Sequence, residues 1–178
     1  MTLSSAANAQ VYYCVMESPV GFIGLAATGA GLCRIETRIH NEKNFLHFLN
    51  AAGHALPEKN PQFFKAVIKQ FDRYFAGKLQ RFDCKLDLSR GTAFQQKVWA
   101  KLLTIPYGKT RSYQWLAQSI GQPTACRAVG NANGKNPLSI IVPCHRVVLK
   151  SGGLGGYASG PTLKRQLLDL EQTSHGPV

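Results

Sequence analysis

From Leu88 to Leu168 the chain runs 81 residues without one aspartate or glutamate. Residues 1–89 hold ten Lys/Arg against seven acids, a net +3, and residues 90–178 hold eleven against two, a net +9. Such a one-sided deficit builds a surface that attracts and steers a polyanion. A mere solubility bias would be spread evenly, so nucleic acid is the favoured partner. No apolar run approaches the roughly 18 residues of a membrane-spanning helix, which leaves the membrane out. The opening "MTLSSAANAQ" lacks both a basic start and an apolar core, so no secretory signal is expected. The five cysteines (14, 33, 84, 126, 144) are odd in number, scattered and without a C-x-x-C pair. That speaks against a disulfide framework and for a reducing, cytoplasmic home. Internal repeats, low-complexity tracts, phosphate-binding loops, dinucleotide fingerprints and H-E-x-x-H are missing as well.

What is present divides near residue 90. "VYYCVME", the turn "SPVG" and "FIGLAATGAGLCRIE" alternate around glycines as a β-hairpin does. "NFLHFLNAA" (44–52) reads as a helix ended by Gly53 and Pro57. In "PQFFKAVIKQFDRYFAG" the residues Phe64, Val67, Ile68, Phe71, Tyr74 and Phe75 recur at helical spacing, with Pro61 at the start and Gly77 past the end. "FDCKLDLSRG" alternates again and predicts a short strand. Beyond Gly91 the pattern turns helical. Thr92 caps a helix carrying Phe94, Val98, Leu102 and Ile105 inward; a second helix spans 112–120 from Ser112; a third spans 124–134 with Thr124 as its cap. No strand is expected between 92 and 135. The predicted domains are 1–89 and 90–178.

The pair 112–120 and 124–134 is a helix-turn-helix candidate. Its second helix is small and glycine-rich through Ala125, Ala128, Gly130, Ala132 and Gly134, with Arg127 as one long cation. It lacks the Asn/Gln/Arg array that reads base edges. It therefore suits close, sequence-independent approach to a duplex, with Arg127 as a wedge, as well as it suits plain helix packing. The stretch "PLSIIVPCHRVV" (137–148) sets Cys144 and His145 in an apolar run. Adjacent residues face apart, so a direct thiol–imidazole contact is not expected, and Pro143 should end strand geometry there. Taken alone, the run fits an inert buried cysteine or a thiol whose pKa is lowered by unpaired N–H groups and the imidazole. Cys33, His40, His47 and His54 recur every seven residues. Seven helical residues span about 10.5 Å, too far for one metal ion, so these are expected at the surface and no metal or cofactor is expected.

Taken together, "GTAFQQKVW" (91–99), "IPYGKTRSY" (105–113), "CRAVGNANGKNP" (126–137), "IIVPCHRVV" (140–148), "GGYASG" (155–160) and "KRQLLDLE" (164–171) closely resemble the O6-alkylguanine-DNA alkyltransferases of bacterial type. These are the methylated-DNA–protein-cysteine methyltransferases. "YFAGKLQRFDCKLDL" (74–88) is similar to the approach to their second domain. The resemblance implies an α+β protein: an N-terminal α/β ribonuclease-H-like domain, then a mostly helical, winged-helix-like domain with the helix-turn-helix.

The resemblance also implies roles. Cys144 accepts the alkyl group, irreversibly and once per molecule. His145 acts as base through a water and Glu171 orients it. Asn136 braces the turn, and Tyr113 donates toward guanine N3. Arg127 fills the gap left by the flipped nucleotide, on a helix whose Thr124, Ala125, Ala128 and Gly130 lie against DNA. The carbonyls of Cys144 and Val147 and the N–H of Ala158 read the guanine, with Tyr157 and Ser159 in the loop over the pocket. The implied partner is double-stranded DNA, gripped through the minor groove without sequence preference by a monomer. O4-alkylthymine is a second candidate substrate. Ser159 and Pro161 stand where many bacterial relatives carry glycine and an aliphatic residue, and Ser139 where proline is common, so the pocket wall departs from the usual pattern. The competing readings are a non-catalytic damage sensor and, further off, a cysteine hydrolase.

Overall fold

In a computed structural model, which describes residues 10–54 and 56–173, four strands form one sheet in the order β3-β2-β1-β4. Residues 1–9, where a targeting signal was sought, lie outside that range. Strands β1 (Tyr12–Met16), β2 (Phe22–Thr28) and β3 (Gly31–Ile39) run antiparallel, and the two-residue β4 (Glu58–Lys59) adds to β1 in parallel. The expected hairpin is thus a three-stranded meander.

β2 is buried on both faces. Helix α1 (Glu42–Ala51) covers one face, packing Phe45 and Leu49 against Val11, Tyr13, Ala26, Cys33 and Ile39. The Phe45 ring lies so close over Gly24 that a Cβ there would collide with it. A 3-10 turn (Pro61–Phe64) leads into α2 (Lys65–Phe75), which buries Val67, Phe71 and Tyr74 in the larger core on the other face.

That core continues without a break into the second half of the chain, which supplies α3 (Ala93–Leu102), α4 (Tyr113–Ser119), α5 (Cys126–Gly134) and α6 (Pro161–Thr173). Thr92 closes a capping box with Gln95, and Ser112 caps α4 by accepting from the Trp115 N–H at 3.0 Å. Two short strands, β5 (Arg111–Ser112) and β6 (Val147–Val148), pair in parallel, with Val147 buried.

Several expectations need correction. Residues 82–88 form no strand: Leu86 makes a single bridge to Leu32, and the Gln70 side chain takes both backbone groups of Asp83. The strand β5 was not expected between 92 and 135, since two residues carry no periodicity. Thr124 does not cap α5. It sits exposed in a turn closed by Ala125 N–H to Gln122 O, and the N-cap position is Ala125, without a side-chain bond. His40 and His47 are exposed as expected, but Cys33 and His54 are buried. His54 lies 3.4 Å from the Arg90 guanidinium, where burial and then that charge hold its pKa below the ordinary histidine value. Among the described residues no helix is long and apolar enough to cross a membrane.

Candidate active site

The segment 137–146 sets the geometry. Its first part docks on β3, where the Ile35 N–H donates to Pro137 O at 2.8 Å. Asn136 then braces the turn from inside: Oδ1 accepts from the Leu138 N–H at 3.0 Å, and Nδ2 donates to Val142 O at 2.8 Å. The brace holds a strained backbone, since Ile140 has φ of 75°, rare for a β-branched residue. Leu138 makes a single bridge to Ile35, residues 139–143 form no strand, and after Pro143 a 3-10 turn (Cys144–Arg146) carries the thiol into β6.

Cys144 is buried, and its Sγ accepts from the same Asn136 Nδ2 at 3.0 Å. Burial pushes this thiol up. The Asn136 bond, the Lys164 charge and the backbone N–H groups of Cys144 and His145 offset that in part. The lowered resting pKa admitted on sequence grounds is therefore overturned, because full desolvation outweighs these donors.

The His145 ring pairs with Glu171 and not with the thiol, in keeping with the adjacency argument. Its Nε2 lies 2.8 Å from Glu171 Oε1, while the buried Nδ1 finds no partner among protein atoms. Burial lowers the imidazole pKa and Glu171 opposes this, with a net lowering. A neutral ring that donates from Nε2 to the carboxylate carries its lone pair on Nδ1, ready to take a proton.

Glu171 is the hub of the site. It also accepts from Tyr74 Oη (2.8 Å), Arg146 Nε (2.8 Å) and Nη2 (2.9 Å), and the Gly108 N–H (3.1 Å). Burial alone would raise this carboxyl. The His145 and Arg146 hydrogen bonds and charges instead hold it well below the usual carboxylate range. It is a fixed anion.

Tyr74, Arg146, Lys164 and Asn133 were missed in the sequence. Arg146 also donates to Ile105 O at 2.7 Å and stacks over Tyr107. Lys164 is completely buried and donates to Val147 O at 2.6 Å and Gly156 O at 3.3 Å; burial lowers its pKa to about 8, and a Cys144 thiolate would raise it. Asn133 donates to Cys144 O at 3.4 Å. A signal for Lys164 did exist. At helical spacing it shares the buried face of α6 with Leu167, Leu168 and Glu171.

The remaining predicted residues fall around this centre. Tyr113 opens α4, donates to Gly156 O at 3.2 Å, and has its pKa raised by burial and then by Cys144. Tyr157, with its phenol facing Ser139 and Ser159, belongs to the glycine-rich loop that also carries Ala158. Val147 is buried at the start of β6. On α5, Val129, Ala132 and Asn133 face inward, while Arg127 and Ala128 are exposed, as is Thr124 in the turn before it. Gly130 lies beside the Tyr113 ring, where a Cβ would make only ordinary contact. The helix-turn-helix thus presents Arg127 on the outer side of the helix that supports the site. Among the described residues, no group of three or more His, Cys, Asp and Glu side chains is placed to hold a metal ion.

Two family models match the chain: the ribonuclease-like domain of 6-O-methylguanine DNA methyltransferase over residues 11–88, and its DNA-binding domain over residues 93–173. The methylated-DNA–protein-cysteine methyltransferase of Mycobacterium tuberculosis is 47% identical over 163 residues, covering 92% of this chain and 93% of that protein. The Methanosarcina barkeri protein of the same name is 43% identical over 169 residues, with 92% and 99% covered. A crystal structure of M. tuberculosis OGT in complex with DNA superposes with a TM-score of 0.81 at 45% identity, covering 92% of this chain and 94% of that one.

Proposed function

The chain belongs to the methylated-DNA–protein-cysteine methyltransferase family, and we propose that its alkyl acceptor is Cys144, served by His145, Glu171, Asn136 and Tyr113. It is a DNA repair protein of that class, and DNA is its partner. The chemistry is displacement at carbon. A Sγ–C bond forms as the C–O6 bond of O6-alkylguanine breaks, and the bond pair leaves with the base. The thiol proton passes through a bridging water to His145 Nδ1, and Tyr113 donates to N3 of the departing guanine. Arg146 and Glu171 stay charged throughout and fix the imidazole. The thioether does not hydrolyse, so each molecule acts once.

The observation that carries this reading is the meeting of two features in one dry place. The buried thiol is bonded to Asn136, and beside it the His145–Glu171 pair leaves only Nδ1 open. A guanine inside a duplex cannot reach that place without being flipped out, at a cost of a few kcal/mol. The exposed Arg127 on the small helix α5 supports a role in filling the gap, with the flanking Thr124, Ala125, Ala128 and Gly130 against the minor groove. Val147, Tyr157, Ala158 and Ser159 are the pocket residues of this reading. We divide the chain into 1–89 and 90–178. The gap between the two matched segments, at residues 89–92, supports that boundary. A cytoplasmic location is in keeping with five unpaired cysteines, and we read the protein as acting as a monomer.

The test uses a duplex carrying one O6-methylguanine. The peptide containing Cys144 should gain a methyl group, and Cys144→Ala should gain none anywhere. Protein that binds the duplex but stays unmodified would replace this reading with that of a damage sensor.

A further inference from the structure

We infer that the N-terminal domain sets the size of alkyl group admitted to the pocket, through a side-chain clamp between Thr37 and Ser159. Thr37, near the end of β3, donates its hydroxyl to Ser159 Oγ at 2.7 Å, across 122 positions of sequence. The inference rests on the reading of Cys144 as acceptor and of residues 157–159 as the pocket loop.

The loop needs holding. Residues 151–160 include five glycines, and three of them, Gly152, Gly155 and Gly160, have φ between 67° and 90°, backbone that other residues resist. Backbone bonds to Leu149 and Lys164 fix its two ends, and two side chains reach its middle on one atom: Gly156 O accepts from Tyr113 Oη at 3.2 Å and from Lys164 Nζ at 3.3 Å. Past Gly156, Tyr157 packs against the core with its phenol toward Ser139, and Ser159 adds a tie across the seam to a residue of β3. Glycines at 155, 156 and 160 bracket this short piece, so releasing Ser159 frees it to swing while Gly156 stays in place.

A cavity of about 250 Å³ lies at that seam. Arg34 and Glu36 of β3 line one side, and Asn136, Ser139, Ala158 and Ser159 the other. Asn136, which donates to the Cys144 sulfur, lines the cavity and so separates it from the acceptor by one side chain. The clamp therefore closes the wall toward which a large alkyl substituent would expand. A methyl group needs no such room. A glycine at 159 could not form this bond, which makes the clamp a property of this chain's serine.

The test compares single-turnover alkylation of Cys144 from two duplexes that differ only in carrying O6-methylguanine or O6-benzylguanine. Thr37→Val keeps the shape of the side chain and removes the donor. It should raise the benzyl-to-methyl rate ratio about two- to tenfold, the range one hydrogen bond gives to an open–closed equilibrium, and leave the methyl rate unchanged. Thr37→Ser restores the hydroxyl and should keep the wild-type ratio. Ser159→Ala should shift the ratio as Thr37→Val does, and the double variant should go no further. An unchanged or lowered ratio in Thr37→Val, or independent effects that multiply in the double variant, would overturn the clamp. Wild-type protein that takes neither group on Cys144 would overturn the acceptor assignment instead.

Discussion

Tyr74→Phe removes one oxygen atom from the centre of the molecule and should be felt in both stability and chemistry. The phenol comes from α2 and donates to Glu171 Oε1 at 2.8 Å, the oxygen that also holds His145 Nε2. Its ring packs against Phe75, Phe82 and Tyr107, contacts that phenylalanine keeps. What is lost is a hydrogen bond to a buried carboxylate, worth about 1.5–3 kcal/mol. At about 2–4 °C per kcal/mol for a chain of this length, the melting temperature should fall by about 3–12 °C. The chemical effect has a definite sign. With one donor gone, Glu171 holds more of its charge for the imidazole and stabilises the protonated ring. The His145 pKa, now held below its ordinary value mainly by burial, should therefore rise. A transfer of about 0.7 kcal/mol corresponds to about half a pH unit. Since His145 must be neutral to take the thiol proton, the acid limb of the methyl-transfer rate should move to higher pH by that amount. Thermal unfolding and single-turnover rates between about pH 5 and 8 test both parts. A melting temperature unchanged within about 1 °C would refute the energetic argument. A lowered melting temperature with a fixed acid limb would leave Tyr74 a packing residue with no hand in the relay.

Two further substitutions probe the cations. Lys164 is held at about 8 by burial, against an unfolded value near 10.4, so the folded chain binds fewer protons than the unfolded chain between these values and gains stability as pH rises through the window. Urea unfolding should show wild type gaining up to about 3 kcal/mol on Lys164→Met from about pH 8 to 10.5, and parallel stability curves would contradict this. Arg127 is exposed on α5, so Arg127→Ala should slow repair of a duplex far more than repair of the free base, and equal losses would remove the wedge role. If it also meets a phosphate, the log–log salt slope of duplex binding should fall by about one.

Periodicity exposed the elements whose side chains decide their environment. The α2 pattern of Phe64, Val67, Phe71 and Tyr74 is a buried face in the structure, and the Thr92 and Ser112 caps are real. It could not expose β5 and β6, because two residues show no alternation, nor the true start of α5, because the turn at 122–125 satisfies its backbone without Thr124. The motif around Cys144 pointed to residues that the fold gathers, with Asn136 on the Cys144 sulfur and His145 on Glu171. It left out Tyr74, which lies in the other half of the chain, and Arg146, which passes for an ordinary surface cation until Glu171 is seen to meet it. His54 shows the opposite failure. A histidine three residues before a proline looks solvated, yet the chain folds it under Arg90.

The resting state of the thiol follows from the same physics as its reactivity. A thiolate is the nucleophile, and a site lined with donors alone would hold Cys144 ionised at all times. Here burial outweighs Asn136, Lys164 and the backbone N–H groups and raises the Cys144 pKa, which favours the neutral thiol. A protein that acts once is spent by any electrophile that reaches an ionised sulfur, so holding the proton until an alkyl carbon is in place conserves the acceptor. The groups that would remove that proton are already set: Glu171 is a fixed anion under four residues' donors, and His145 Nδ1 is open. Deprotonation then needs no rearrangement of the relay. It needs only the bridging water and the flipped base, and that ties the loss of the proton to the arrival of damage.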